Sequence, residues 1–204
     1  MAKTFLDKAY GGRDTADTRQ LYDDWAATYE AEIGENGYAT PGRCAEALRR
    51  FAPDPCAAIL DFGCGTGLSG LALKLAGFTT IDGMDLSGEM LAVAQEKNIY
   101  RDLVLIDGTG APPVAKGQYA AIAAIGVIGV GAAPVGVLDH LMHALPKGGH
   151  CVFSFNDHAL QDPVHEARVM DWTDCGAARL LFREHGEHLP GTGVKSNVYV
   201  LEKS

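Results

Sequence analysis

Apolar residues in the central two-thirds of the chain recur at two alternating spacings. A short apolar run at residues 57–61 gives way to Leu68, Leu71, Ala72, Leu75 and Ala76, which repeat at helical intervals until Gly77. Residues 79–85 read as a strand again. Ser87 then caps a helix carrying Met90, Leu91 and Ala94 on one face, with Glu89 in its first turn. Residues 103–107 and 119–125 are two further strands. Pro134 opens a helix with Leu138, Leu141 and Leu145 on its buried stripe, "PKGG" closes it, and residues 150–155 form the fifth strand. Strands that are apolar almost throughout and alternate with helices predict a parallel sheet covered on both faces, a doubly wound α/β fold. Two segments depart from this rhythm. Residues 179–189 and 193–203 flank a turn at 190–193 too short for a crossover helix, and predict an antiparallel pair at the sheet edge. Residues 18–32 predict an amphipathic helix with Leu21, Tyr22, Trp25 and Tyr29 at helical spacing.

Length and composition narrow the picture. At 204 residues and 47 % hydrophobic, the chain is expected to be one domain spanning 1–204, with residues 1–50 as an N-terminal helical lid region. A formal net charge of −9 disfavours nucleic acid and anionic membranes as partners. The five cysteines form no CxxC or CxxxH group, so reduced, mostly buried thiols are expected, with no metal site and no disulfide frame. Without the apolar core of a signal peptide near residue 1, a cytoplasmic location is expected. Residues 117–138 carry no charge and are long enough to span a bilayer by count. Four glycines from Gly126 onward, together with Pro134, break that stretch into strand, loop and helix start.

The chemistry gathers where strands end. Asp61 closes the first strand, Asp85 the second and Asp107 the third, and Gly126 follows the fourth. In a parallel sheet these ends share one rim, beyond which ligands bind. Asp61 is followed within nine residues by Gly63, Gly65, Gly67 and Gly70, and the glycines before the helix leave backbone N–H groups open to close approach. Asp85 stands 20 residues after Gly65, the separation at which a second-strand carboxylate meets ribose hydroxyls in nucleotide-binding units. Asp107 can accept from an exocyclic adenine amine, with Gly108 and Thr109 supplying backbone partners. Asp61 suits a ligand ammonium. Together these acids call for a ligand with a nucleoside and a positive charge. "GTGLSG" also satisfies GxGxxG, so a dinucleotide-dependent oxidoreductase competes. Against it, the acid preceding Gly63 would repel a pyrophosphate.

With "LDFGCGTG" at residues 60–67 and "MDLSGEML" at residues 84–91, the chain resembles the class I methyltransferases that use S-adenosylmethionine. Within them it is most similar to the methyltransferase-like group that includes a human protein of the Williams-Beuren region. The resemblance implies a seven-stranded sheet with the last strand antiparallel. It further implies that Gly63, Cys64 and Gly65 line the cofactor, that Asp85 holds the ribose and that Leu86 packs beside the adenine. Asp107 and Gly108 would sit at the adenine edge, and Ile125 and Gly126 beside the methionine portion. Tyr22, Trp25 and Tyr29 would form a lid helix, aromatic faces suiting a sulfonium. "GVIGVGA" stands after the fourth strand where nucleic-acid amino-methyltransferases carry a [DNS]PP[YFW] tetrad, which disfavours adenine or cytosine N-methylation.

The expected activity is therefore in-line methyl transfer from S-adenosylmethionine to a small-molecule acceptor, without a metal. His158, just after the fifth strand, is the candidate base. Plainer readings stand beside these: a packed glycine turn, helix-capping acids, an aromatic stripe that is ordinary core, and a loop histidine with no role. A non-catalytic nucleoside-binding or scaffold protein is the remaining alternative.

Overall fold

The computed structural model describes residues 5–9, 11, 14–52, 54–108 and 110–204. Seven strands form one sheet: β1 (Ile59–Phe62), β2 (Ile81–Asp85), β3 (Leu103–Leu105), β4 (Ala121–Ala124), β5 (His150–Asn156), β6 (Ala178–Leu189) and β7 (Val194–Lys203). Their spatial order is β3-β2-β1-β4-β5-β7-β6. The pairs β3-β2-β1-β4-β5 are parallel, whereas β7 runs antiparallel to both β5 and β6. This is the doubly wound, seven-stranded α/β fold with an antiparallel last strand that the sequence predicts. The order reverses at β1, where the chain leaves first toward β2 and β3 and returns to β4.

Side chains of alternating parity fill the two layers. Leu60 and Phe62 of β1 join Leu141, Phe153 and Tyr199 on one face. Ile59 packs on the other with Leu48, Leu73, Ile81 and Val152. Helices α4 (Leu68–Leu75), α5 (Gly88–Glu96) and α6 (Val137–Ala144) are the crossovers. Ser87 caps α5 as expected, its hydroxyl accepting from Met90 N at 3.1 Å. Helix α6 starts three residues after Pro134 because residues 126–136 first make a turn closed by a bridge between Ile128 and Ala133. No helix among the described residues is long and apolar enough to cross a membrane.

Four helices lie outside the sequence expectations. α1 (Phe5–Ala9) and α7 (Asp157–Leu160) are too short to show a period, and the capping Asn156 side chain accepts from Ala159 N at the start of α7. α3 (Thr40–Phe51) buries Cys44, Ala45, Ala47 and Leu48 on one side and carries Arg49 and Arg50 in its last turn. α8 (Val164–Asp174) buries only His165 and Val169. Because α3 packs into the sheet's own core, the cover over the strand ends is made by α1 and α2 (Thr15–Glu35), not by the whole of residues 1–50. Three cysteines, Cys44, Cys64 and Cys151, are buried free thiols; Cys56 and Cys175 are exposed.

Packing around α4 is tight enough to test. A Cβ on Gly70 would lie 2.3 Å from Tyr100 Oη, and that hydroxyl reaches past the helix to Asp61. Gly70→Ala is expected to lower unfolding free energy by about 1–3 kcal/mol in urea titrations, the usual cost of overpacking. Gly88→Ala, with open space around it, should shift it by less than about 0.5 kcal/mol.

Candidate active site

Beyond the ends of β1, β2 and β4 lies a cavity of about 520 Å³. Its floor is the β1–α4 turn, where Gly63, Gly65 and Gly67 all have positive φ. These glycines differ in purpose. A Cβ on Gly63 would sit 2.2 Å from Val127 Cγ2, so Gly63 is small to let the β4 loop close over it. A Cβ on Gly65, at φ +52°, would meet nothing within 4 Å, so this residue leaves space open above the turn. Next to it Thr66 is buried, lines the cavity and has an Oγ1 with no partner among the described residues.

Asp85 ends β2 at the cavity wall. Its Oδ2 accepts from Gly65 N at 2.8 Å and its Oδ1 from Ser87 N at 2.9 Å. A carboxylate has about four acceptor sites, so capacity is left over for a ligand. Burial pushes the carboxyl up, and the N–H groups of Ser87, Gly65 and Leu86 pull the other way. Leu86 and Met90 add an apolar wall, and Ile106, Asp107 and Gly108 another. Asp107 lies two residues past β3, which ends at Leu105. Ile125 and Gly126 line the far side, and a Cβ on Gly126 would lie 2.2 Å from Tyr38 Oη.

Helix α2 covers this cavity and is tied down by polar contacts that the sequence reading missed. Arg19 Nη2 donates to the carbonyls of Ile106 and Asp107 at 3.2 and 3.0 Å. Ser87 Oγ donates to Asp23 at 2.5 Å, and Lys97 pairs with Glu30 at 2.6 Å. Each tie joins residues far apart in sequence, and no spacing rule signals such pairs.

Most of the expected site residues meet here: Tyr22, Tyr29, Gly63, Cys64, Gly65 and Asp85 line the cavity together with Leu86, Asp107, Gly108, Ile125 and Gly126. Thr109 lies outside the described residues. Three candidates are elsewhere. Trp25 is 1 % exposed and lines neither described cavity; its ring stacks between Phe5 and Tyr22, and its Nε1 donates to Glu32. It is the core of the cap, so the aromatic stripe divides into one packing residue and two tyrosines facing the site. Asp61 is fully buried beneath the glycine turn and does not line the cavity. Its Oδ2 accepts from Ser69 Oγ at 2.6 Å and Tyr100 Oη at 2.7 Å, which braces the turn, while its Oδ1 has no partner among the described residues. His158 lines neither described cavity, since the α7 turn directly after β5 carries it past the rim. His188, near the end of β6, stands at the cavity side instead. Among the described residues no three His, Cys, Asp or Glu side chains form a cluster able to hold a metal.

A family model described as a methyltransferase domain matches residues 37–195. The chain belongs to the methyltransferase-domain family. It is 32 % identical over 147 residues to human Methyltransferase-like protein 27, covering 71 % of this chain and 60 % of that protein. It is 36 % identical over 137 residues to the 18S rRNA (guanine(1575)-N(7))-methyltransferase of Saccharomyces cerevisiae, covering 60 % of this chain and 50 % of that one. The chain thus spans between half and three-fifths of the length of these curated relatives. Among solved structures, magnesium protoporphyrin IX methyltransferase from Synechocystis PCC 6803 with bound SAH superposes with a TM-score of 0.71 at 16 % identity. It covers 94 % of this chain and 100 % of its own, and the shared architecture is the class I S-adenosylmethionine-dependent methyltransferase fold.

The brace at Asp61 has a pH signature. Burial pushes this carboxyl up to about 6 from 3.8; hydrogen bonds from Ser69 and Tyr100 oppose the shift, and the Asp85 charge adds to it. Between those values the folded chain holds a proton that the unfolded chain has released, so stability is gained on the acid side and lost as pH rises. Wild type should lose stability relative to Asp61→Asn as pH rises from about 4 to about 6. Paired urea titrations across that window test this, and a difference independent of pH would exclude the buried acid as its source.

Proposed function

We propose that this protein transfers the methyl group of S-adenosylmethionine to a small-molecule acceptor, in the cavity beneath α2. The observation that carries this reading is Asp85: a carboxylate fixed by two N–H groups at the end of β2, with spare lone pairs beside an open glycine turn, in a chain of the methyltransferase-domain family. The donor set suits the cofactor. A vicinal diol finds two acceptor oxygens on Asp85, a flat base finds the apolar wall of Leu86 and Ile106, and Thr66 offers a free hydroxyl.

When bound, S-adenosylmethionine supplies an activated methyl group whose sulfur leaves as a neutral thioether, so no metal is needed to stabilise a departing charge. The chain's own contribution is positioning and exclusion of water. Asp85 orients the nucleoside, Gly126 and Ile125 bound the reacting end, and Tyr22, Tyr29 and Tyr38 close the cavity with aromatic surface. Helix α2 acts as the lid through its ties to the loops after β2 and β3. The yeast relative acts, by its name, on guanine in rRNA. A formal charge of −9 argues for a small acceptor here, because phosphate contacts dominate nucleic-acid affinity. Incubating the protein with labelled S-adenosylmethionine and either a metabolite extract or RNA separates the two, and label recovered in RNA alone would reverse the assignment.

Two further outcomes are expected. Asp85→Ala should weaken S-adenosylhomocysteine binding in calorimetry by about tenfold or more, the scale of a charge-assisted hydrogen bond, whereas an unchanged Kd in a folded variant removes Asp85 from this role. Amide exchange across α2 should slow when S-adenosylhomocysteine is added, and identical protection with and without it rules out the lid.

A further inference from the structure

A second cavity, of about 40 Å³, adjoins the first: Tyr22, Gly126, Gly129, Val130 and Ala132 line both. Its own polar residues are Ser154, Asn156 and His188. Each has one polar end engaged by the protein and one left over. Ser154 Oγ accepts from Gly126 N at 2.9 Å, so its hydroxyl proton is the free end. Asn156 Oδ1 accepts from Ala159 N at 3.0 Å, which leaves the Nδ2 donors. His188 is 5 % exposed, its Nδ1 lies 2.8 Å from Thr40 Oγ1, and its Nε2 bonds to none of the described residues.

The tautomer of His188 follows from a chain of hydroxyls. Arg43 has only donors, and its Nη1 donates to Ser196 Oγ at 3.1 Å. Ser196 is fully buried, and Thr40 Oγ1, at 3.0 Å, is the partner within reach of its proton. Thr40 must then give its own proton to His188 Nδ1. The reverse direction would strand the Ser196 proton with no acceptor among the described residues, at the usual cost of a buried unpaired donor. Nδ1 therefore accepts, and Nε2 carries the hydrogen. The surroundings keep the ring neutral: burial pushes it down to about 4, Asp157 opposes this, and Arg43 and His158 reinforce it, while Tyr38 packs edge-on at 5.3 Å.

The residues that line this pocket beside the proposed methyl-transfer cavity thus have three donors left over: the Ser154 hydroxyl, the Asn156 amide and His188 Nε2–H. From this we propose that the small cavity is the acceptor-recognition subsite and takes an oxygen lone pair, that of a carboxylate or a carbonyl group on the methyl acceptor. His188 is a specificity-determining donor there. Its cavity-side nitrogen has no lone pair to offer, so it is not the base that removes a proton from the acceptor. The proposal rests on the methyl-transfer reading for the word acceptor; the donor character of the pocket stands independently of it.

Two-bond ¹H–¹⁵N spectra of the full chain, with and without S-adenosylhomocysteine, test this directly. His188, assigned by its loss in His188→Gln, should show the Nε2–H tautomer unchanged from about pH 5 to about pH 8. In Thr40→Val, which removes the hydroxyl donor, both tautomers should be populated. Acetate and acetamide, whose oxygen ends can enter from the adjoining cavity, should shift His188 Nε2, and whichever binds more tightly distinguishes carboxylate from carbonyl; ethylammonium should not shift it. His188→Phe should weaken the better probe by about tenfold with S-adenosylhomocysteine affinity intact, whereas His188→Gln, which keeps an N–H, should retain most of it. An Nδ1–H tautomer, titration near the ordinary histidine value, or an equal response to ethylammonium would overturn the proposal. Loss of S-adenosylhomocysteine binding with the tautomer and probe responses intact would overturn the methyl-transfer reading and leave the donor pocket standing.

Discussion

The site depends on one carboxylate. Asp85 holds Gly65 N with one oxygen and Ser87 N with the other, and so fastens the turn after β1 to the turn after β2. Two loops that would otherwise be independent become a single surface at the point where the sheet reverses its strand order. Charge-assisted bonds to backbone N–H groups are among the stronger polar contacts a fold can make. Asp61 supports the same surface from below, through Ser69 and Tyr100. One acid therefore faces the cavity and the other the core: Asp85 is the last residue of β2, whereas Asp61 is followed in β1 by Phe62.

That difference marks the limit of what sequence can tell. The strand–helix alternation, the antiparallel β7 and the cavity-lining role of Gly65, Asp85, Leu86 and Gly126 were legible, because period, glycine placement and acid spacing are local properties. The destination of a buried acid is not local. Asp82, three residues before Asp85, is also buried; it pairs with Arg101 and accepts from Tyr119 Oη. Within "IDGMD" nothing distinguishes the acid that pins a strand from the acid that lines a site; the distinction comes from Arg101 and Tyr119, elsewhere in the chain.

The same reasoning applies to the glycines and the aromatics. Gly63 and Gly70 are small because Val127 and Tyr100 occupy the space a Cβ would take, whereas Gly65 is open. Trp25 has the helical spacing of Tyr22 and Tyr29, yet it sits inside the cap. Helical spacing shows which residues share a face, but the partners on that face belong to tertiary structure. His188 was invisible for the same reason: its neighbours Thr40 and Ser196 come from α3 and β7, 148 positions before it in the case of Thr40.

Arg43 connects these layers. Besides Ser196, it binds the carbonyls of Glu184 and Glu187, filling the space where Gly186 has no side chain, and so anchors the edge strand to α3. A fixed cation at the far end of a hydroxyl wire orients every proton along it, much as a battery polarises a circuit. Were a neutral residue to occupy position 43, the wire could run either way and the imidazole at its end could take as readily as give. The character of this pocket is thus written by a guanidinium that no ligand there would meet.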